Sequence, residues 1–308
     1  MPAWFPTVQT MINCQSSLSL IAPAKLNLSL RVLGRRPDGY HLLQSLFWPI
    51  GLADTLEINA RERFELRCEW AADAPYPQSQ LPAVEENLVA RAHRACAKIQ
   101  REIVLRKRIP IGSGMGGGSS DAGTYLRFLI ENHEISELDA RRIAIELGAD
   151  VPFFLDPRPS WVTGIGEEIR PLFLTAAAAS IGFLLVFPSS GTSTGRVFQN
   201  YRLSGKPFTA PSPFDAAAPL DIRDLIETLR QSGNDLEEVV SQELPQIADI
   251  LGNLRRLPCW YAGLSGTGST CFAVFPTLSE ASESAKGLSS FFRMYNCRSV
   301  TVATHWVS

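Results

Sequence analysis

Paired cysteines, clustered histidines, excess charge and long apolar runs are all missing from this chain. Its 308 residues include six cysteines and four histidines. The cysteines form no C-x-x-C pair, and no histidine stands at ligand spacing from them. That argues against a zinc site or a disulfide framework. Lys and Arg number 29 against 31 Asp and Glu, a formal charge of −2. A broad nucleic-acid surface needs a cationic surplus that is not there. No apolar run reaches the roughly 18 residues of a membrane span. No Lys or Arg precedes Lys25, so the opening lacks the cationic start of a signal peptide and the arginines of a transit peptide. A cytoplasmic protein with no nucleic-acid or membrane partner is the expectation.

What is present suits a packed core. Hydrophobic residues make up 45% and charged residues 19%, which excludes a disordered chain. The length fits two ordinary domains. Residues 1–16 read as a loose extension, with Met11 a second possible start. From Leu26 the pattern alternates, with Leu26, Leu28, Leu30 and Val32 on one face and Lys25, Asn27, Ser29 and Arg31 on the other. That is the signature of a half-buried strand. A turn over 34–40 leads to strands at His41–Trp48 and Thr55–Asn59. A helix is expected over Glu85–Ile99, a strand over Glu102–Ile109 and a helix over Ser119–Asn132. A further helix spans Ser136–Leu147, with Ser136 as N-cap and Gly148 closing it.

The second half has a different order. Strands are expected at Ile181–Phe187, Trp260–Gly263, Cys271–Phe275 and Ser299–Thr304. Helices fall near Asp221–Arg230, Asp235–Arg256 and Leu278–Ser290. The β-α-β-β-α-β order is that of the ferredoxin-like split motif. Leu203–Leu220 reads as an exposed loop and Ala176–Ala179 as a connector. The fold class is therefore α+β, with one domain over 1–164 and a second over 165–308.

The strongest local signal is the glycine-rich stretch between a strand and a helix. Five of the seven residues from Gly112 to Gly118 are glycine, which allows positive φ and close approach of a ligand to the backbone. The helix that follows offers unpaired N–H groups and a positive dipole end, a cradle for phosphate. Ser119 and Ser120 add hydroxyls for a phosphate or a metal. No lysine follows the glycines in Walker A fashion. The β-α-α order does not suit a Rossmann unit either, which needs a parallel strand after the helix.

Other candidates are ordinary when taken singly. Lys25 reads as a solvated strand lysine, and Asp150 as a loop carboxylate in an Asx turn. Tyr40-His41 reads as a hairpin brace, Phe198 as helix packing, and Leu264–Thr270 as a hairpin turn.

Their joint order changes the reading. Pro23-Ala-Lys-Leu-Asn-Leu28, Pro37-Asp-Gly-Tyr-His41, the glycine loop, Gly148-Ala-Asp-Val-Pro152 and Ser265-Gly-Thr-Gly268 resemble the motif series of the GHMP kinase superfamily. The likeness spans about residues 20–304. It implies an N-terminal domain like domain 2 of ribosomal protein S5 and a ferredoxin-like C-terminal domain that closes the site. The first two motifs resemble the branch that phosphorylates an alcohol on a cytidine-diphosphate-linked substrate for isoprenoid synthesis. Another acceptor (homoserine, mevalonate or a sugar) and a catalytically silent nucleotide-binding member stay open as alternatives.

The resemblance implies roles for particular residues. ATP would lie on Pro110, Ile111, Gly112, Ser113, Gly114, Met115, Gly116, Gly117, Gly118, Ser119 and Ser120, with Lys107 and Asn87 near the adenosine. The cytidine side would be met by Asn27, Tyr40, His41, Thr194 and Phe198. Asp150 would take the proton of the acceptor hydroxyl, and Lys25 would offset the charge that develops. Mg²⁺ would bridge the ATP phosphates, with no protein ligand named by the sequence.

Overall fold

The alternation at Leu26 does build a strand, but the strand is not half-buried. A computed structural model describes residues 18–75, 81–96, 98–175, 181–188, 190–212, 220–294 and 297–304. The opening extension with Met11 and the Ala176–Ala179 connector lie outside the described residues. Strand β1 (Leu18–Arg35) buries every residue from Ala22 to Leu30. Its polar face is enclosed along with its apolar one.

Strand β2 (His41–Ala60) is a single strand where two are expected. One edge carries β1 throughout, from Arg35 opposite His41 to Leu18 opposite Ile58. The other edge is shared. Leu43–Phe47 pair with β5 and Thr55–Ala60 pair with β4. Pro49 and Gly51 look like a break in sequence, yet they fall between those two outer partners, where Ile50 makes an isolated antiparallel bridge to Thr304 and Pro49, opposite Lys25 on β1, interrupts no continuous outer ladder.

The rest of the first half follows. β3 (Glu65–Trp70) runs parallel to β4 (Arg101–Lys107), with α1 (Leu88–Cys96) between them in sequence. Then come α2 (Gly117–Glu131), α3 (Glu137–Leu147), a 3₁₀ turn (Val151–Leu155), β5 (Ser160–Gly164) and β6 (Glu168–Pro171). Ser136 caps α3 as expected, its Oγ accepting from the Asp139 N–H. β3 is an addition to the sequence reading, although Leu66 and Cys68 alternate with charged residues along it. The β5–β6 hairpin is a second addition. It straddles the expected 164/165 division and extends the first sheet, in order β3-β4-β2-β5-β6 with β1 on β2, to Pro171. We place the domain boundary after that residue.

In the second half, β7 (Gly182–Phe187) precedes α4 (Thr194–Leu203), α5 (Ile222–Ser232), α6 (Glu237–Glu243) and α7 (Pro245–Leu254). Pro245 splits the expected 235–256 helix, since it cannot donate to the preceding turn. β8 (Tyr261–Leu264), β9 (Cys271–Phe275), α8 (Leu278–Gly287), α9 (Ser289–Met294) and β10 (Arg298–Ala303) complete the described chain. The sheet order β10-β7-β9-β8, antiparallel throughout, is the ferredoxin-like arrangement. The segment after α4 is no free loop. Its Thr209 N–H donates to Val32 O, and its Ala210 O accepts from Arg31.

One core joins the halves. Leu26, Leu28 and Trp48 pack with Phe183, Leu185 and Phe272, so one face of the second sheet rests on β1 and β2. Leu184 and Val186 face the opposite way, onto α6 and α7. Helices α1–α3 cover the other end of the first sheet, where Leu56 and Ile103 meet Leu126 and Ile143. No helix among the described residues is long and apolar enough to cross a membrane.

Candidate active site

The glycine loop joins β4 to α2 over a cavity of about 940 Å³. Gly112, Gly114 and Gly116 have φ of +69°, +77° and +71°. A Cβ on Gly114 would lie 2.6 Å from Gly268 O, and one on Gly116 would lie 3.0 Å from the Phe154 ring and 3.3 Å from Lys25 Cε. Glycine is therefore required twice at these two positions, for conformation and for room. Gly116 is the N-cap of α2 and supplies no side-chain acceptor. The first N–H groups of the helix are thus left for a ligand at its positive end.

The loop is laced to its surroundings. Lys25 N–H donates to Met115 O at 3.1 Å, and Thr270 Oγ1 donates to Ser113 O at 2.7 Å. Two of its residues turn away from the cavity, a correction to the sequence reading. Met115 is fully buried in the core, and Ser120 is fully buried with its hydroxyl donating to Pro23 O at 2.7 Å. Pro110, Ile111, Gly112, Ser113, Gly114, Gly116, Gly117, Gly118 and Ser119 line the cavity. The Ser113 hydroxyl is engaged with Pro110 O, so Ser119 carries the loop's available hydroxyl.

Lys25 and Asp150 are brought together. Lys25 Nζ is 3.2 Å from Asp150 Oδ2, with the lysine side chain 4% and the aspartate 32% exposed. Lys25 is therefore no solvated strand residue. It also donates to Asn27 Oδ1 at 2.5 Å and lies 4.4 Å from the centre of the Phe47 ring. Asp150 precedes the 3₁₀ turn but its side chain makes no capping bond. The carboxylate is free of the Asx role and faces the lysine. Asn27 is fixed in turn, its Nδ2 donating to Ser45 Oγ and its N–H to Ser265 Oγ.

At the other end of the cavity, His41 stacks on Phe198, with ring centroids 4.9 Å apart and an 18° interplanar angle. Burial lowers the His41 pKa from its ordinary value, and the charges of Arg35 and Arg202 lower it further. A neutral imidazole carries one donor and one acceptor, suited to the edge of a nucleobase. Tyr40 lines the same end and is exposed. Thr194 Oγ1 is 3.2 Å from Thr267 Oγ1, tying α4 to the Ser265–Gly268 turn.

Lys107 and Asn87 line the third region. Asn87 Nδ2 donates to Cys68 Sγ, and Asn87 Oδ1 accepts from the Val89 N–H. Lys107 is held by two carboxylates that the sequence reading missed. It bonds to Asp54 and, at 2.6 Å, to Asp121. Burial opposes the Lys107 charge, but Asp121 and Asp54 outweigh it and raise the pKa. Burial, with Asp54 adding to it, pushes Asp121 well above the usual carboxylate range although Lys107 pulls the other way. Asp54 Oδ1 also accepts the N–H groups of Arg108 and Ile109 at 2.5 and 2.9 Å, where β4 leaves β2. The Asp121 signal was its place in Gly-Ser-Ser-Asp. Asp54 carried none, since nothing in its neighbourhood distinguishes it from a turn residue.

No group of three or more His, Cys, Asp or Glu among the described residues is arranged to hold a metal ion. The cavity still offers oxygen donors, the Asp150 carboxylate and the Ser119 hydroxyl, of the hard kind Mg²⁺ takes alongside substrate phosphates.

Comparison with known proteins is consistent along the chain. Residues 87–156 match the GHMP kinases N terminal domain, and residues 215–293 match GHMP kinases C terminal. A 4-diphosphocytidyl-2-C-methyl-D-erythritol kinase of Roseobacter denitrificans is 35% identical over 278 residues, covering 88% of this chain and 89% of the relative. A crystal structure of a 4-(cytidine 5'-diphospho)-2C-methyl-D-erythritol kinase superposes with a TM-score of 0.71 at 31% identity, covering 93% of this chain and 99% of the other. A homoserine kinase from Cytophaga hutchinsonii superposes with a TM-score of 0.67 at 18% identity, covering 98% and 97%. That last likeness is one of fold.

Proposed function

This chain belongs to the 4-diphosphocytidyl-2-C-methyl-D-erythritol kinases of the GHMP family, and from that premise we propose how its residues carry the reaction. The enzyme transfers the γ-phosphoryl group of ATP to the tertiary 2-hydroxyl of the cytidylated methylerythritol, a step of isoprenoid biosynthesis. The observation that carries the assignment of roles is the Lys25–Asp150 pair, standing in the cavity between the glycine loop and the His41–Phe198 stack.

A tertiary alcohol is a poor nucleophile at neutral pH. Asp150 accepts its proton as the oxygen attacks the γ-phosphorus. The O–P bond forms while the bond to the ADP oxygen breaks. Lys25 offsets the negative charge spread over the acceptor oxygen and the phosphoryl group. Asn27 and the Phe47 ring hold that ammonium in one place, so little reorganisation is needed at the moment of transfer. The N–H groups opening α2 and the glycine backbone take the ATP phosphates. Ser119 would hold Mg²⁺ beside those phosphates, which supply oxygen ligands of their own. The ion supplies charge neutralisation when bound. His41, Phe198 and Tyr40 take the cytosine, with Thr194 nearby, and Lys107 and Asn87 border the adenosine side; Asn27, expected on the cytidine side, stands instead beside Lys25.

A kinase acting on homoserine, mevalonate or a sugar has no use for an aromatic stack with a neutral imidazole at the far end of the cavity. The test is a panel of acceptors offered with ATP to the purified protein. Phosphorylation of the cytidylated substrate is expected. Turnover of homoserine or mevalonate, with none of the cytidylated substrate, would overturn the reading. We place the enzyme in the cytoplasm, a reducing compartment that suits cysteines held in no disulfide, as Cys68, Cys96, Cys259 and Cys271 are.

A further inference from the structure

In the proposed reaction the glycine loop meets the phosphates and the His41–Phe198 stack meets the base. A third stretch of the cavity wall, beside the Lys25–Asp150 pair, is apolar and serves neither. Phe47 on β2, Val162 on β5 and Ile165 in the β5–β6 turn make it, and all three line the cavity.

The sheet register puts this wall next to the reacting groups. Asn27 stands opposite Phe47, and Ser45, two residues earlier on β2, stands opposite Val162. Directly opposed residues share a sheet face, as do residues two apart on one strand. Asn27, Phe47, Ser45 and Val162 are therefore on one face, where Asn27 Nδ2 donates to Ser45 Oγ. Lys25 belongs to the same group. Its Nζ donates to Asn27 Oδ1 and lies 4.4 Å from the centre of the Phe47 ring.

Asp150 is tied to the wall from its own side. Phe47 and Val162 cluster with Phe153 and Phe154 of the 3₁₀ turn that begins just after Asp150, and Ile169 packs against that cluster. The β5–β6 turn abuts the residue before the aspartate, so closely that a Cβ on Gly166 would lie 3.2 Å from Ala149 O. The Ile165 N–H donates to Glu167 Oε2 at 2.5 Å, which fixes the turn, and Ile165 itself is half-buried.

We propose that Phe47, Val162 and Ile165 seat the methyl group on the carbon that bears the reacting hydroxyl, and so select a methyl-branched alcohol. The inference rests on the function proposed above. With the hydroxyl at Asp150, the methyl is the one apolar substituent of that carbon, and the wall beside the pair is the apolar surface within its reach. A hydrogen in its place leaves that surface without contacts. An unbranched hydroxyl is the less crowded nucleophile, so a preference for the branched acceptor has to come from the protein.

The test offers the full-length protein two acceptors with saturating ATP: the cytidylated methylerythritol, and the same molecule with hydrogen in place of the methyl. The readout is the ratio of their kcat/KM values. The wild type should favour the methylated acceptor by about ten- to 200-fold. Ile165→Ala and Val162→Ala should each shrink that ratio about three- to tenfold, with activity on the unbranched acceptor held within about twofold. Ile169→Ala loosens the same cluster from outside the cavity and should leave the ratio at its wild-type value. Ile165 lies in a turn and is half-buried, so its variant decides the matter if Val162→Ala unfolds. An unchanged ratio in Ile165→Ala overturns the methyl pocket, as does a fall shared by both acceptors or a wild type without preference. A ratio that moves as far in Ile169→Ala overturns it too, because general loosening would then account for the effect. Those results leave the kinase function standing. A wild type that phosphorylates neither acceptor overturns that function, and the pocket with it.

Discussion

Lys25 and Asp150 meet at 3.2 Å across the cavity, one from the first strand and the other from the turn after α3. The lysine is almost wholly buried and is held from two further sides, by Asn27 and by the Phe47 ring. The aspartate keeps a solvent-facing edge for an incoming hydroxyl. The pair therefore combines a fixed cation with a reachable carboxylate.

Asp150→Asn keeps the size and most of the polarity of the side chain but removes the proton acceptor. We expect kcat to fall by roughly 10²- to 10⁴-fold, with KM for ATP changed by less than about threefold and the unfolding midpoint close to wild type. Single-turnover kinetics check this. A kcat within about threefold of wild type would remove Asp150 from the role of base.

Gly114→Ala and Gly112→Ala separate clash from strain. Both positions have positive φ, but the new Cβ meets Gly268 O at 2.6 Å at position 114 and open space at position 112. Gly112→Ala is expected to cost about 1 kcal/mol from backbone strain alone. Gly114→Ala adds displacement of the Ser265–Gly268 turn, for a total of about 2–4 kcal/mol and a clear rise in KM for ATP. Denaturant titration with ATP kinetics measures both, and equal effects at the two positions would count against the packing argument.

His93 gives a prediction on pH. Its ring stacks on Phe64 and its Nδ1 lies 2.7 Å from the Tyr125 hydroxyl, and burial lowers its pKa to about 4. The unfolded chain binds the proton near pH 6.5 while the folded protein resists it. Nothing is lost above that value, and stability falls as the pH drops from about 6.5 toward about 4. The contribution amounts to about 2 kcal/mol at pH 5. His93→Gln should flatten that part of the stability–pH curve, which denaturant titrations between pH 7 and 5 would show.

Asp54→Ala removes one anion from the buried trio with Lys107 and Asp121 and strips two backbone N–H groups of their acceptor. Breaking a buried ion pair from one side costs about 3–5 kcal/mol. We expect a loss of that order in urea unfolding. In the folded fraction KM for ATP should rise, since the strand entering the glycine loop is no longer pinned. An unaltered KM for ATP would confine Asp54 to a structural role.

The parts legible in sequence are those that depend on neighbours along the chain. The ferredoxin-like order of the second half followed from strand and helix periodicity, and the glycine loop from composition and its place between β4 and α2. Long β2 was not legible, because Pro49 and Gly51 carry the marks of a break and only the partners on either edge show that the ladder tolerates them. Burial of Lys25 was not legible either. An alternating strand has one apolar face, and the second face is covered only when the glycine loop and the Ser265–Gly268 turn fold over it.

The sequence by itself determined the groups available to this protein: a glycine-rich loop ahead of a helix, a lysine and an aspartate in motifs that resemble those of kinases, and aromatic side chains in the hairpin turn and in α4. It did so because backbone freedom, helix polarity and side-chain type are local properties. The tertiary structure decided which of those groups meet. It turned Ser120 and Met115 away from the cavity, stacked His41 on Phe198, and locked Lys107 between Asp54 and Asp121. Those outcomes depend on packing two sheets on one core, and packing is set by contacts between residues far apart in the chain.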